Sequence, residues 1–375
     1  MANQTYLKRI NQRRILLAVR ESGAMSRSAL ADQLSLDRKS MTNLANELIS
    51  DAWLCESGTV SSQRGRPGTL LELDRRHHLF LGLHLSENAA HAVLINLHGE
   101  TIGSDCRQFA LPAQLPQLRN ALREVYLPLL RLAGDKLQAI GLTVPGILDF
   151  SSGTMLRSVN LQVLDGVELR SLLPTDLPAE LYIEESSRAK ALAELWFGIG
   201  QGRSSFVNID LGIGIGAGIV IGKRLQGGAF AGEIGHVLIE PGGRLCACGH
   251  HGCLEAYISE RVLCQEIGEA LQQPLDSLEQ VQTLNSEAEM ILQQAGYSLG
   301  RGLAALVNIL CPPLLVLHGN LTRFQKQLFP GMEKGLAEAA LPACRSRVQV
   351  RISAFGGEAA ALGAAAAPLE NVFLG

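Results

Sequence analysis

The sequence predicts an α/β protein in three parts: a small helical head closed by a β-hairpin, then two related α/β lobes. Three observations lead to this reading. Residues 1–76 carry twelve Lys/Arg against eight Asp/Glu, a balance of +4, while the remaining 299 residues carry −7. In that basic piece apolar residues recur at helical spacing; beyond it they fall into short alternating or continuous runs. Those runs come twice in the same order, strand-turn-strand followed by helix, which suggests duplicated lobes facing one another.

At 375 residues and 47 % hydrophobic the chain is long enough for several cores, and its 18 % charged content argues against disorder. The opening MANQTYLKRINQRR lacks the apolar core of a signal peptide. The longest apolar candidate, 303–318, is interrupted by Asn308 and Pro312-Pro313, so no membrane insertion is expected. Eight cysteines without a signal sequence point to reduced thiols, some of them metal ligands, in a soluble cytoplasmic protein.

In the head, Ile10, Ile15, Leu16 and Val19 follow helical spacing between Leu7 and Arg20, and Glu21-Ser22-Gly23 closes the segment. Ser26 is placed to cap a short second helix containing Leu30, Ala31 and Leu34. After the break Ser35-Leu36-Asp37, Asp37 caps a third helix, Arg38 to Asp51. Met41, Leu44, Ala45 and Leu48 make its apolar stripe, and Lys39, Thr42, Asn43 and Asn46 fall on or beside the opposite face. Two short helices joined by a tight turn, the second exposing Lys, Thr and Asn, form a helix-turn-helix reader. Amide side chains can pair bidentately with base edges in the major groove. Arg38 and Ser40 lie at the helix start, where phosphate contacts are favoured. Trp53-Leu54-Cys55 and Thr69-Leu70-Leu71-Glu72-Leu73 read as strands around SSQRGRPG, a wing tip carrying Arg64 and Arg66 toward a narrow minor groove. Three helices alone would suit a protein-binding module equally; the Arg-Gly-Arg-Pro wing favours double-stranded DNA. This winged helix-turn-helix is assigned to residues 1–76.

The body begins with the strand-like runs LFLGLHL, AHAVLINL and TIGSDCRQF, then a helix near 115–133 and the strand and loop LQAIGLTVPGILD. The order returns in SSFVNIDLGIGIGAGIVIG, a long helix near 285–310, the strand PLLVLHG and a helix from about 321. The first lobe is assigned to 77–192, completed by a C-terminal helix over 357–370, and the second to 193–356. GIGIGAG, Gly212–Gly218, suits close backbone approach by a phosphate or sugar, or equally a tight hairpin. It opens no helix, as a dinucleotide fingerprint would.

CACGHHGC holds Cys246, Cys248 and Cys253, with Gly249 and Gly252 allowing the backbone to fold around one ion. The spacing leaves the fourth ligand open among His236, His250, His251 and Cys264. Three thiolates and an imidazole make a closed tetrahedral zinc site, structural rather than catalytic.

GEIGHVLIEPGGRLCACGHHGCLEAY resembles the signature of the ROK family, which joins sugar-responsive repressors with sugar kinases. VPGILD, GIGIGAGIV, GGEAAALGAA and the GRP wing extend the resemblance over essentially the whole chain. It is nearest the repressor form, typified by the N-acetylglucosamine, xylose and glucose-phosphotransferase repressors. The resemblance implies a two-lobed actin/hexokinase-like (duplicated ribonuclease H-like) fold and His236 as fourth zinc ligand. It also implies sugar contacts at Asn160, Glu233, His236 and Glu255.

The departures from the family's kinases are equally informative. Where those begin with Asp-x-Gly-Gly-Thr, this chain has His84-Leu85-Ser86-Glu87-Asn88. Their Glu-Asn-Asp-Ala-Asn, whose Asp deprotonates the sugar, becomes Glu184-Glu185-Ser186-Ser187-Arg188 here, and serine is no base near neutral pH. A Gly-Gly of the adenosine region becomes Gly319-Asn320. The expectation is therefore a regulator without kinase activity, with Glu185 and Ser186 reading a different hydroxyl pattern. It would bind operator DNA as a homodimer or tetramer, under a sugar or sugar-phosphate effector or a phosphotransferase-system protein.

Overall fold

The computed structural model describes residues 2–60, 68–227 and 232–374. The chain divides into two compact units, Met1–Glu184 with Ala361–Gly375, and Glu185–Ala360.

The head belongs to the first unit. Its helices are α1 (Ala2–Ser22), α2 (Arg27–Leu34) and α3 (Arg38–Ser50). α1 begins earlier than its apolar period suggests, because Tyr6 and Leu7 are exposed and add nothing to that period. The Ser26 side chain accepts from Ala29 N at 3.2 Å and that of Asp37 from Ser40 N at 2.9 Å, each supplying an acceptor to an otherwise unpaired helical N–H. Between α2 and α3 the chain turns through Ser35 at φ 55°. Met41, Leu44, Ala45 and Leu48 are buried as the stripe requires, with Ile15, Leu30 and Leu71 fully enclosed beside them. Truncating one such side chain to alanine would cost about 2–5 kcal/mol.

Strands Leu54–Val60 and Gly68–Leu73 pair antiparallel, and Met25–Ser26 adds a third strand on Leu70 and Leu71. Two residues are too short a run to show alternation, which hid that strand from the sequence. Trp53 precedes the pairing; its ring stacks on His78, with centroids 3.7 Å apart and planes 11° apart.

Hydrogen bonds tie the head to the first lobe. His78 Nε2 lies 3.0 Å from Asp51 O, and Asp74 N donates to Trp53 O at 3.0 Å. His98 Nε2 lies 3.0 Å from Leu73 O, and Arg75 pairs with Glu100. Arg20, at the end of α1, donates to Leu97 O at 2.5 Å and lies over the Phe373 ring of the C-terminal helix at 5.2 Å. Burial lowers this guanidinium to about 10, which still leaves it a cation at neutral pH.

The two larger sheets share one strand order. Counting strands from the start of each, both run 3-2-1-4-5, with the first strand antiparallel to the second and parallel to the fourth. In the first unit they are Leu79–Leu85, Ala89–Asn96, Thr101–Gln108, Leu137–Val144 and Glu180–Glu185; in the second, Phe206–Leu211, Ile215–Ile221, Arg224–Leu225, Leu314–His318 and Gln349–Ile352. This shared order is the duplication read in the sequence.

Helix Leu115–Ala133 packs on the first sheet. The alanine-rich helix Ala359–Phe373 approaches that sheet at glycines: a Cβ on Gly82 would lie 1.9 Å from Ala361 O, and one on Gly141 1.9 Å from Ala364 O. In the second unit, helices Ser286–Leu310 and Gln325–Ala339 meet backbone to backbone in the same way. A Cβ on Gly300 would stand 2.1 Å from Met332 O.

Candidate functional site

On α3, Arg38, Lys39, Ser40, Thr42, Asn43 and Asn46 are all exposed. Arg38 pairs with Asp32 at 2.8 Å, and Thr42 Oγ1 donates to Arg38 O at 2.8 Å. Asn46 Oδ1 accepts from Arg27 at 3.3 Å. The side chains of Lys39 and Asn43 make no hydrogen bond to the described residues and extend a cation and an amide from one polar face. Arg64 and Arg66 lie outside the described residues.

The cysteine cluster lies in the second unit. The ligand atoms of His236, Cys246, Cys248 and Cys253 all lie within 4.8 Å of one another. Cys248 Sγ is 3.7 Å from Cys253 Sγ, and Cys246 Sγ is 3.7 Å from His236 Nδ1. A tetrahedral zinc with bonds of about 2.3 Å to sulfur has edges of about 3.8 Å, so the cluster has the dimensions of such a centre. His250 Nδ1 is 3.5 Å from Cys248 Sγ but outside this set, His251 Nδ1 is 2.9 Å from Gly243 O, and Cys264 is buried in the apolar core. The loop closes through β-bridges Leu238↔Cys253 and Leu245↔His251, which bring His236 back to a thiol ten positions later.

The thiols also show why a cation fits here. Burial opposes ionisation throughout; at Cys248, hydrogen bonds from the His250 backbone and ring and from the other thiols overcome it and bring the thiol down to about 6. Burial, then the neighbouring thiols, push Cys253 up to about 12, and burial raises Cys246 as well. Three thiolates this close are mutually repulsive unless a positive ion lies between them.

From this knuckle the chain runs directly into the glycine turn. Glu255, two residues after Cys253, accepts from Ile215 N at 3.0 Å through Oε2. Glu260 N donates to Gly212 O at 2.9 Å, holding the other side of the turn. GIGIGAG is therefore a hairpin, pairing Phe206–Leu211 with Ile215–Ile221. Its later glycines serve packing: a Cβ on Gly216 would meet Ser187 Oγ at 2.3 Å, and one on Gly218 would meet Ala191 Cβ at 2.3 Å.

Glu185 caps helix Ser186–Phe197 and accepts from Ser186 Oγ at 2.8 Å, Ser187 N at 2.9 Å and Arg188 N at 3.1 Å. Burial, opposed by these donors and aided by Asp210, pushes its carboxyl up to about 7. Ser186 is thus tied to its neighbour. Glu233 is raised by burial; His236 Nε2, on the far side of the ring from the thiols, lies 4.0 Å from its carboxylate. The structure accordingly gathers Glu233, His236 and Glu255 around the knuckle and hairpin, with Glu185 and Ser186 at the adjoining helix start. Asn160, in the first unit, sits half-buried in a loop pinned by Ser158, which donates to Pro145 O and accepts from Leu161 N.

The sequence reading passed over Asp210. Its Oδ2 accepts from Lys190 Nζ at 2.6 Å, and the residue is 7 % exposed. An acidic residue inside the strand run FVNIDL, apolar apart from it and Asn208, was the available signal.

This combination of duplicated sheets, cysteine knuckle and glycine hairpin defines a class. Residues 81–370 match the ROK family, and the chain belongs to it. It is 31 % identical to the xylose repressor of Caldicellulosiruptor bescii, over 88 % of this chain and 87 % of that protein. A solved ROK family transcriptional regulator, a homologue of the E. coli Mlc protein, superposes with a TM-score of 0.80 at 26 % identity, covering 98 % of this chain and all of that one. The ROK hexokinase of Thermus thermophilus superposes with a TM-score of 0.65 at 29 % identity, over 78 % of this chain and 99 % of the enzyme.

Proposed function

We propose that this protein is a DNA-binding transcriptional regulator, a repressor of a carbohydrate uptake or utilisation operon, controlled by a sugar or sugar-derivative effector. The observation that carries this reading is the match to a ROK transcriptional regulator over 98 % of the chain, head included. The exposed polar face of α3 supports it. In this reading Lys39, Thr42, Asn43 and Asn46 meet base edges, Arg38 and Ser40 meet phosphates, and Arg64 and Arg66 enter the minor groove. A homodimer, or a tetramer built from two of them, presents paired heads to a palindromic operator.

The sugar contacts are Asn160, Glu185, Ser186, Glu233, His236 and Glu255; a carboxylate can accept from two vicinal hydroxyls. Zinc held by His236, Cys246, Cys248 and Cys253 is structural, because four protein ligands leave no position for water. It fixes the segment between Glu233 and Glu255 and so one wall of the site. To release DNA, the effector must bind the off-operator arrangement more tightly; equal affinity would shift nothing. The head 1–76 and lobes 77–192 and 193–356 are the working parts.

Kinase activity is not part of this reading, since Ser186 stands where the family's kinases carry their base and its hydroxyl is bonded to Glu185. No helix of the described residues is long and apolar enough to cross a membrane, in keeping with action on cytoplasmic DNA. The test is retention of the upstream DNA of its own operon in a gel shift, repeated with each sugar that raises the melting temperature. Retention relieved by a stabilising sugar supports the reading. Robust ADP release in a coupled assay would overturn it in favour of a sugar kinase with a DNA-binding head. Relief by a phosphotransferase-system protein, with no stabilising sugar, would replace the sugar by a protein effector.

A further inference from the structure

Asp210 is the penultimate residue of the strand Phe206–Leu211, beside the start of helix Ser186–Phe197 and just before the glycine turn. Lys190 occupies its Oδ2. Its Oδ1 is buried without a donor, the one carboxylate oxygen of that kind among the described residues. Leaving a buried acceptor unpaired is destabilising, and more so for a charged group. The ion pair with Lys190 accounts for Oδ2 and leaves Oδ1 without a protein donor.

The surroundings indicate where a donor would come from. Asp210 Oδ1 faces the turn: a Cβ built on Gly212 would have it as nearest neighbour, at 3.8 Å, with Gly214 O equally distant. Across the same turn, a Cβ on Gly214 would lie 3.3 Å from Glu255 Oε2. Two carboxylates therefore bracket the turn, and a side chain at Gly214 would crowd Glu255. Ser187 Oγ, 3.5 Å from Asp210 Oδ2 and 3.3 Å from Glu185 Oε1, joins this polar group to the helix start. The Glu185 oxygens already receive helix donors and Glu255 Oε2 already receives Ile215 N, so Asp210 Oδ1 is the buried carboxylate oxygen of this group left without one.

We propose that Asp210 is an effector contact, its Oδ1 accepting one hydroxyl of a neutral sugar bound against the Gly212–Gly214 turn. The proposal rests on the reading of this protein as a sugar-responsive regulator. It makes Asp210 a specificity residue, since a sugar lacking that hydroxyl leaves the oxygen unmatched.

The experiment is calorimetric titration of the full-length protein and Asp210→Asn with D-xylose, D-glucose and the monodeoxy analogues of whichever sugar binds. For the parent sugar, Kd should rise about tenfold or more in the variant. One deoxy analogue, and only one, should bind wild type and variant within about twofold, because the hydroxyl and its acceptor are removed as a pair. Uniform weakening across all analogues would assign Asp210 a structural role and overturn the proposal, as would unchanged affinity. If Asp210→Asn does not fold, Asp210→Glu displaces the same oxygen and must give the same single-analogue pattern. Wild-type protein that binds none of these sugars would overturn the effector reading itself; binding by wild type with no analogue pattern would overturn only the role of Asp210.

Discussion

The reading helix and the carboxylate wall use similar residue types in opposite ways. On α3 the groups proposed to meet DNA are exposed, and the side chains of Lys39 and Asn43 make no hydrogen bond to the described residues. In the second unit nearly every polar group of the wall already supports a loop: Glu185 caps a helix, Glu255 holds the hairpin, and His236 sits against the thiols. A duplex is a long, regular partner, so a rigid helix with mobile side chains suffices. A small sugar offers a handful of hydroxyls and must be met by groups already in position. Changes on α3 should therefore alter one contact at a time, whereas changes in the wall should spread.

The sharpest test of that contrast is Cys248→Ser. Bound zinc should fall from about one per chain to none in metal analysis, and the melting response to sugars should fall with it. A variant retaining its zinc would detach the metal from the wall. On α3, Asn43→Ala should weaken specific operator binding by about 1–3 kcal/mol, roughly 5- to 150-fold, in titrations against a scrambled duplex. Arg38→Ala, at a phosphate contact, should instead reduce the salt dependence of binding, with a slope lower by about one. Loss of sugar response in either variant would blur the distinction between the two regions.

Glu185 sharpens it from another side. Its folded carboxyl titrates at about 7, above the unfolded range, so the stability it contributes is fully present in acid and is lost as pH rises through about 7. Glu185→Gln keeps an acceptor for the helix and removes the titration. Its melting temperature should exceed that of wild type at about pH 8 and converge with it only below the unfolded value, near pH 4. Identical pH profiles would mean the carboxyl is not desolvated as described. The smallest effect is expected at Ser26→Ala, which removes one helix cap and should cost about 1 kcal/mol in denaturant unfolding, leaving sugar affinity untouched.

The same contrast decides what could be read from sequence. The starts of α2 and α3 were legible, and α3 ends at Ser50, one residue before the expected Asp51, because caps and periodicity are local: Ser26, Asp37 and the stripe Met41, Leu44, Ala45 and Leu48 lie within a few turns of what they govern. The knuckle was legible as a cluster that could hold a metal because its three cysteines fall within eight residues. Its fourth member was not fixed by spacing, since His236 is brought in by a β-bridge between Leu238 and Cys253. The glycine run had two readings, and the neighbours that decide between them, Ser187 and Ala191, precede it by more than twenty residues. Asp210 went unremarked for the same reason, its partner Lys190 being twenty positions away on another element.

The joint behind the head has a mechanical meaning. Operator half-sites are read about 34 Å apart, one turn of the duplex, and misplacement of a reading helix along the groove costs its base contacts. A head on a flexible tether would find its half-site whatever its lobe did, and the sugar would have nothing to act on. Here the Trp53–His78 stack, the Arg20 clasp on Leu97 and Phe373, and the bonds from Asp51 and Leu73 make the head a fixed pointer on its lobe. A rotation of that lobe would carry the tip of α3 with it, which would place the calibration of the proposed switch in a joint outside both proposed contact sets.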